Sequence, residues 1–173
     1  MWYVIQTLKG RERKVAEAVR RDVACEGEKV FIIENEMQYK VKGEWIKDRK
    51  PLFAGYVFVE LEFERAEEFN NRLRTKLHTF RLLDIDGVIT PIRPEEEEYL
   101  LRLGGEEHII HHSAGFRVDD IVEITSGSFQ GFRGKINKLD RHNRRAKICL
   151  PLLGKNIEVE IGLEIVKNTT SGR

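Results

Sequence analysis

A chain of 173 residues, 40% hydrophobic and 34% charged, has the composition of a globular protein of one ordinary domain or two small ones, which excludes a disordered or low-complexity chain. Its 30 Lys+Arg against 29 Asp+Glu leave a net charge of +1, so the molecule as a whole does not advertise a polyanionic partner. The balance hides an asymmetry: Phe116 to Arg173 carries 11 Lys/Arg and 7 Asp/Glu, net +4, and residues 1–115 carry 19 and 22, net −3.

The opening Met1-Trp2-Tyr3-Val4-Ile5 has no basic stretch leading into an apolar core, and Cys25 and Cys149 lack Cys-x-x-Cys spacing. Both features predict a cytoplasmic protein with reduced thiols. No apolar run approaches the ~20 residues that span a bilayer, so no membrane partner is expected.

Trp2 to Thr7 reads as a first strand stopped by Lys9-Gly10, and Val15, Val19 and Val23 recur at helical spacing to about Cys25, with closure near Gly27. Val30 to Ile33 is a strand. Met37 to Val41 is expected to pair with Glu44 to Lys47 across Lys42-Gly43 as a hairpin. Gly55 to Leu61, the most apolar stretch, is expected at the centre of a sheet. Glu64 to Lys76 is helical through Phe69 and Leu73, Phe80 to Leu83 and Val88 to Thr90 are short strands around Asp86-Gly87, and Pro94 starts a last helix. That helix places Glu95 to Glu98 at its positive end and turns Tyr99, Leu100 and Leu103 inward.

Residues 104–115 begin with two glycines, hold three histidines and lack a strong period, which predicts a linker between domains at 1–103 and 116–173. Beyond it, Arg117 to Ile124, Gly134 to Leu139, Ala146 to Leu150, Ile157 to Ile161 and Glu164 to Val166 read as five short strands of a small barrel. The predicted class is α+β: an N-terminal α/β sandwich with an antiparallel sheet, then a five-stranded SH3-like barrel.

Four patterns carry candidate chemistry. Gly127 to Ile136 sets Gly127, Gly131 and Gly134 around Phe129 before a strand, which suits a tight loop with an apolar anchor; the spacing does not fit a nucleotide-binding loop. Next, Arg133, Lys135, Lys138, Arg141, Arg144, Arg145 and Lys147 put seven cations in fifteen residues against Asp140 alone, with His142 in addition. Such a strand-turn-strand suits phosphate contact, and a solvated hairpin tip is the bland alternative. Third, aromatic residues alternate through Pro51 to Val59, so that Tyr56 and Phe58 share one face, either as buried core or as an apolar docking patch. Finally, His108, His111 and His112 beside Glu106 and Glu107 have separations that would suit a metal only on a helix, and a glycine-flanked linker offers no such scaffold. No metal or other cofactor is expected. Cys149, inside a predicted strand, is expected to pack as a small apolar residue.

Trp2-Tyr3-Val4, Pro51 to Val59 and Phe129-x-Gly131-x-x-Gly134-x-Ile136, in that order, resemble the NusG family over nearly the whole length. Asp119-Asp120-Ile121-Val122 is similar to the strand that opens that family's KOW domain, with Asp119 where the family has glycine. The resemblance implies a non-enzymatic transcription elongation or antitermination factor that suppresses pausing or termination. Its N-terminal domain would grip the clamp helices of the largest RNA polymerase subunit, with Trp2, Phe53, Tyr56 and Phe58 as the clamp-facing residues, and Glu67 to Asn71 would reach toward the second large subunit. Its KOW barrel would meet RNA, the nascent transcript or a hairpin element in it, or the partners Rho or the ribosome. Monomeric protein is expected. Ala54 stands where housekeeping members have proline, and the arginine-rich hairpin and Pro51-Leu52-Phe53 look closer to the specialised paralogues RfaH and LoaP, the latter favoured. A free-standing or ribosome-associated RNA-binding protein is the alternative.

Overall fold

The computed structural model describes residues 1–119 and 121–166. The chain is α+β and divides into two compact units. The first unit takes Met1–Ile33, Phe53–Arg102 and Pro151–Lys155; the second takes Glu34–Leu52, Leu103–Leu150 and the described residues from Asn156 on.

In the first unit, strands β1 (Trp2–Gln6) and β2 (Lys29–Phe31) flank the central strand β5 (Tyr56–Glu60), all antiparallel. The period of two sends Tyr3, Ile5, Val57 and Val59 to one face, where they pack with Val15, Ala16 and Val19 of α1 (Glu12–Asp22) and Phe69 and Leu73 of α2 (Ala66–Lys76). The register Val4↔Phe58 and Phe31↔Phe58 sends Trp2, Phe31, Tyr56 and Phe58 to the other face. A single 3-10 turn at Phe63–Arg65 precedes α2, so the helix starts two residues later than its periodicity predicts. The expected strand at Phe80 to Leu83 is absent: Leu82 makes one isolated bridge to Ile5, and the hairpin is instead Asp84–Ile85 (β6) with Val88–Ile89 (β7).

Two buried carboxylates fasten this unit. Glu12 accepts hydrogen bonds from the backbone N–H groups of Gly10 at 3.1 Å and Gly55 at 2.6 Å. Gly55 has φ +83° and a Cβ there would lie 2.7 Å from the Thr7 carbonyl oxygen, so only glycine fits. Glu96, in the first turn of α3 (Pro94–Gly104), accepts from the N–H of Arg93 at 2.9 Å, Leu153 at 3.0 Å and Gly154 at 2.8 Å. The acidic first turn was expected to answer the helix dipole; Glu96 also satisfies backbone donors far along the chain.

In the second unit, β3 (Glu34–Val41) and β4 (Glu44–Pro51) form a two-stranded ribbon that turns at Lys42-Gly43, longer than predicted at its base. Its base is held by parallel pairing of Glu34 and Asn35 with β8 (Ile109–Ile110). A five-stranded sheet follows in the order β10-β9-β13-β12-β11, from β9 (Ser113–Val118), β10 (Ile121–Ser126), β11 (Ile136–Asp140), β12 (Arg145–Leu152) and β13 (Lys155–Ile165). Ile124, Phe129, Ile148, Val159, Ile161 and Leu163 are buried in this unit. The strand predicted across Arg117 to Ile124 breaks at Asp119, whose φ is +53°, and the two predicted strands around Gly162 run on as one. Residues 104–115 hold β8 and the start of β9.

Candidate functional site

The glycine-rich loop has the local geometry its sequence predicts. Gly127 and Gly131 have φ of +84° and +73°, Gly134 does not, and the buried Phe129 anchors the loop edge-on to Phe132 at 5.8 Å. The backbone N–H of Phe129 donates to the buried Ser113 hydroxyl at 3.1 Å. Gly131, Phe132, Arg133 and Lys135 line one side of a groove of about 560 Å³ whose other side is β10. Ile136, the last residue of the signature, opens β11 opposite Ile148.

The cation cluster that follows separates into two groups. Arg133, Lys135, Lys138, Arg141 and His142 are exposed, and none of the first four makes an ion pair among the described residues. The other three are half-buried and paired: Arg144 with Glu164 at 2.8 Å, Arg145 with Glu160 at 3.2 Å and Lys147 with Glu158 at 3.3 Å. Asn137 donates to Glu158 at 3.1 Å, and this bond, with Lys147, holds the Glu158 carboxyl below its ordinary range. At the tip, the side chain and backbone N–H of Asn143 both donate to Asp140 and likewise depress its pKa. Cys149, expected to be packed away, is exposed on the outward face of β12, 3.3 Å from the Asn137 amide nitrogen.

Two aromatic residues of the β3–β4 ribbon complete this face. The Arg144 guanidinium lies 4.0 Å from the centroid of Trp45 and donates to the Gln38 Oε1 at 2.6 Å. Arg145 lies 4.7 Å from the Tyr39 ring and Lys50 4.8 Å from the same ring. The cluster read from 133–147 alone missed Tyr39, Trp45 and the glutamates of β13. The period-two spacing of Glu158 and Glu160 against Arg145 and Lys147 was a usable signal; the ribbon contacts, about a hundred residues distant, left none.

In the first unit Trp2, Phe53, Tyr56 and Phe58 come together, with Phe31, which the sequence reading did not single out. Trp2 and Phe31 meet edge-on at 4.8 Å, Phe31 stacks on Phe58 at 5.7 Å, and Phe53 lies 6.0 Å from Phe58 and 6.4 Å from Tyr56. Trp2, Phe53 and Phe58 are no more than 2% exposed and Tyr56 is half-buried. A second groove of this unit, about 890 Å³, has Arg11, Arg74, His78 and Arg81 and no carboxylate in its lining. No group of three or more His, Cys, Asp or Glu able to hold a metal occurs among the described residues. His111 lies beside Glu36, its Nδ1 3.8 Å from a carboxylate oxygen. None of the helices among the described residues is long and apolar enough to cross a membrane.

Comparison with known proteins gives two family matches along the sequence. Residues 1–101 match the family model described as transcription termination factor nusG, and residues 118–148 match the KOW motif. The NusG transcription termination/antitermination protein of Thermus thermophilus is 25% identical, over 96% of this chain and 97% of its own. The NusG protein of Bacillus subtilis is 28% identical, over 92% and 93%. Among solved structures, one described as domain interaction in Thermotoga maritima NusG aligns with a TM-score of 0.52 at 27% identity, covering 92% of each chain. The aromatic sheet face near the start, the glycine loop anchored by Phe129 and these full-length matches lead to one assignment: the chain belongs to the NusG family of transcription termination/antitermination factors.

Proposed function

We infer that this family member acts as an elongation or antitermination factor, binding RNA polymerase through residues 1–103 and RNA through a KOW domain at 116–173, with 104–115 between them. It works by binding in the cytoplasm, as a monomer and without a cofactor. A factor with higher affinity for the elongating form of the polymerase shifts the population away from paused states. The carrying observation for RNA is the set of exposed cations Arg133, Lys135, Lys138 and Arg141, without an ion pair among the described residues, on one strand-loop-strand of a family whose KOW motif covers that segment. His142 lies at the same tip. For the polymerase, the support is the aromatic cluster of Trp2, Tyr56 and Phe58 on one sheet face with Phe53 packed against it. Tyr56, half-buried where the other three are buried, is the member of the set that a partner reaches first. The cation-lined groove at Arg11, Arg74, His78 and Arg81 suits a second contact with nucleic-acid phosphates.

The arginine-rich tip and Ala54 before Gly55-Tyr56 favour a specialised, LoaP-like role at selected transcripts over a general one. Rho and the ribosome are the further partners the family assignment brings into view. The test is transcription in vitro through a terminator, with binding measured in parallel. Alanine at Arg133, Lys138 and Arg141 together is expected to weaken RNA binding at least 10-fold and to lower the salt slope by roughly two to three. Retention of full RNA affinity in that variant, or failure of the unaltered chain to bind polymerase, overturns the corresponding half of the reading.

A further inference from the structure

We propose that the outer half of the β3–β4 ribbon is a latch that withholds Arg144 and Arg145 from RNA, so that the phosphate-binding face of the barrel enlarges when the ribbon lifts. This rests on the RNA-binding reading above. Arg144 is engaged at once by Trp45, by Gln38 and by Glu164, and Arg145 by Tyr39 and Glu160. A guanidinium that stacks on a ring and donates to two oxygens has used the same planar fork with which it would grip a phosphate or a base edge. Ribbon and RNA therefore compete for a donor of Arg144 and for the stacking face of Arg145. Sequence proximity to Arg141 does not make Arg144 equivalent to it.

The attachment of the ribbon is graded along its length. At the base, Glu34 and Asn35 pair through their backbones with β8, and the Asn35 side chain donates to the Glu160 carbonyl at 2.7 Å. Beyond Asn35, β3 pairs only with β4 among the described residues, so its outer half is held to the barrel by side chains alone. That seat is polar and incompletely matched: Tyr39 Oη and Arg145 Nε are buried without a hydrogen-bond partner among the described residues. Lifting the ribbon returns both to water and takes Trp45, Gln38 and Tyr39 off the two guanidinium groups, leaving them only their ion pairs with Glu164 and Glu160, which an approaching polyanion displaces more readily.

The experiment uses the full chain and a fluorescein-labelled RNA hairpin, with Trp45→Ala and, as an independent release, Gln38→Ala. Each is expected to tighten RNA binding roughly 5-fold at fixed salt and to steepen the salt dependence, as a restricted state gives way to an open one. Faster hydrogen exchange of the amides from Gln38 to Ile46 should accompany the gain. Unchanged or weaker RNA binding by both variants overturns the latch, weaker binding showing that the rings support the RNA site instead. The underlying RNA reading fails separately: it falls if the unaltered chain does not bind, or if alanine at Arg133, Lys138 and Arg141 leaves affinity intact.

Discussion

His112 shows how one side chain reports on its surroundings. Its ring lies in the field of Glu164, Arg144, Glu36 and Lys47, and its Nε2 is buried without a partner among the described residues. Burial, the largest influence, pushes its pKa below the ordinary 6.5. The folded chain therefore keeps a neutral ring where the unfolded chain takes up a proton. Stability contributed by the neutral ring is complete above about pH 6.5 and declines as the pH falls below it, toward the lower folded value. Urea unfolding between about pH 7.5 and 5.5 should show stability falling as the pH falls, at well under the ~1.4 kcal/mol per pH unit of one fully linked proton because the ring is partly solvated, and His112→Gln should flatten that slope. A slope that survives the substitution would assign the pH dependence to another group. The depressed carboxylates Asp140 and Glu158 act in a lower window, because their protonation is what acid must force.

Among the elements, three two-residue turns of described residues have both central residues at positive φ: Lys42-Gly43, Asp86-Gly87 and Leu153-Gly154. This is the twist that a tight hairpin needs, and asparagine or aspartate meets it at the first position better than lysine or leucine. Lys42→Asn is accordingly expected to stabilise the β3–β4 ribbon by about 0.5 kcal/mol, read as a rise of roughly one to two degrees in melting temperature. The first two turns were legible because glycine followed a polar residue between strand-like runs. The third was not: leucine is a poor turn residue, and the carboxylate of Glu96 that accepts both turn N–H groups lies more than fifty residues earlier. The same distinction covers the rest of the fold. The three helices and the central strand β5 follow from local periodicity. The break at Asp119 and the fusion of two strands into β13 depend on partners across the sheet, which a local pattern does not specify. The aromatic set at Trp2, Tyr56 and Phe58 was legible from strand alternation, whereas Phe31 joined it only through the pairing of β2 with β5.

At the scale of the whole molecule, contiguous sequence and compact unit do not coincide. The family match over residues 1–101 includes the β3–β4 ribbon, which clusters with the barrel strands in the second unit. Strands β9 to β13 all lie after residue 104, so a fragment spanning 104–173 retains the entire five-stranded sheet and lacks the ribbon. It is expected to fold, by circular dichroism and a cooperative melt, and to bind the RNA hairpin more tightly than the full chain. A fragment that folds and binds no better would mean that the ribbon does not restrain the barrel. The charge asymmetry read at the outset is also redistributed, since Glu158, Glu160 and Glu164 balance three of the cations and leave the basic character with Arg133, Lys135, Lys138 and Arg141.

Arg144 draws these scales together. Its backbone stands at φ +52°, a region where glycine or asparagine would sit at lower cost, yet its side chain joins Trp45, Gln38 and Glu164. What the turn prefers and what the guanidinium accomplishes pull position 144 in opposite directions. A replacement there can yield a sturdier protein that is a worse gatekeeper, so robustness and restraint trade against each other at a single residue.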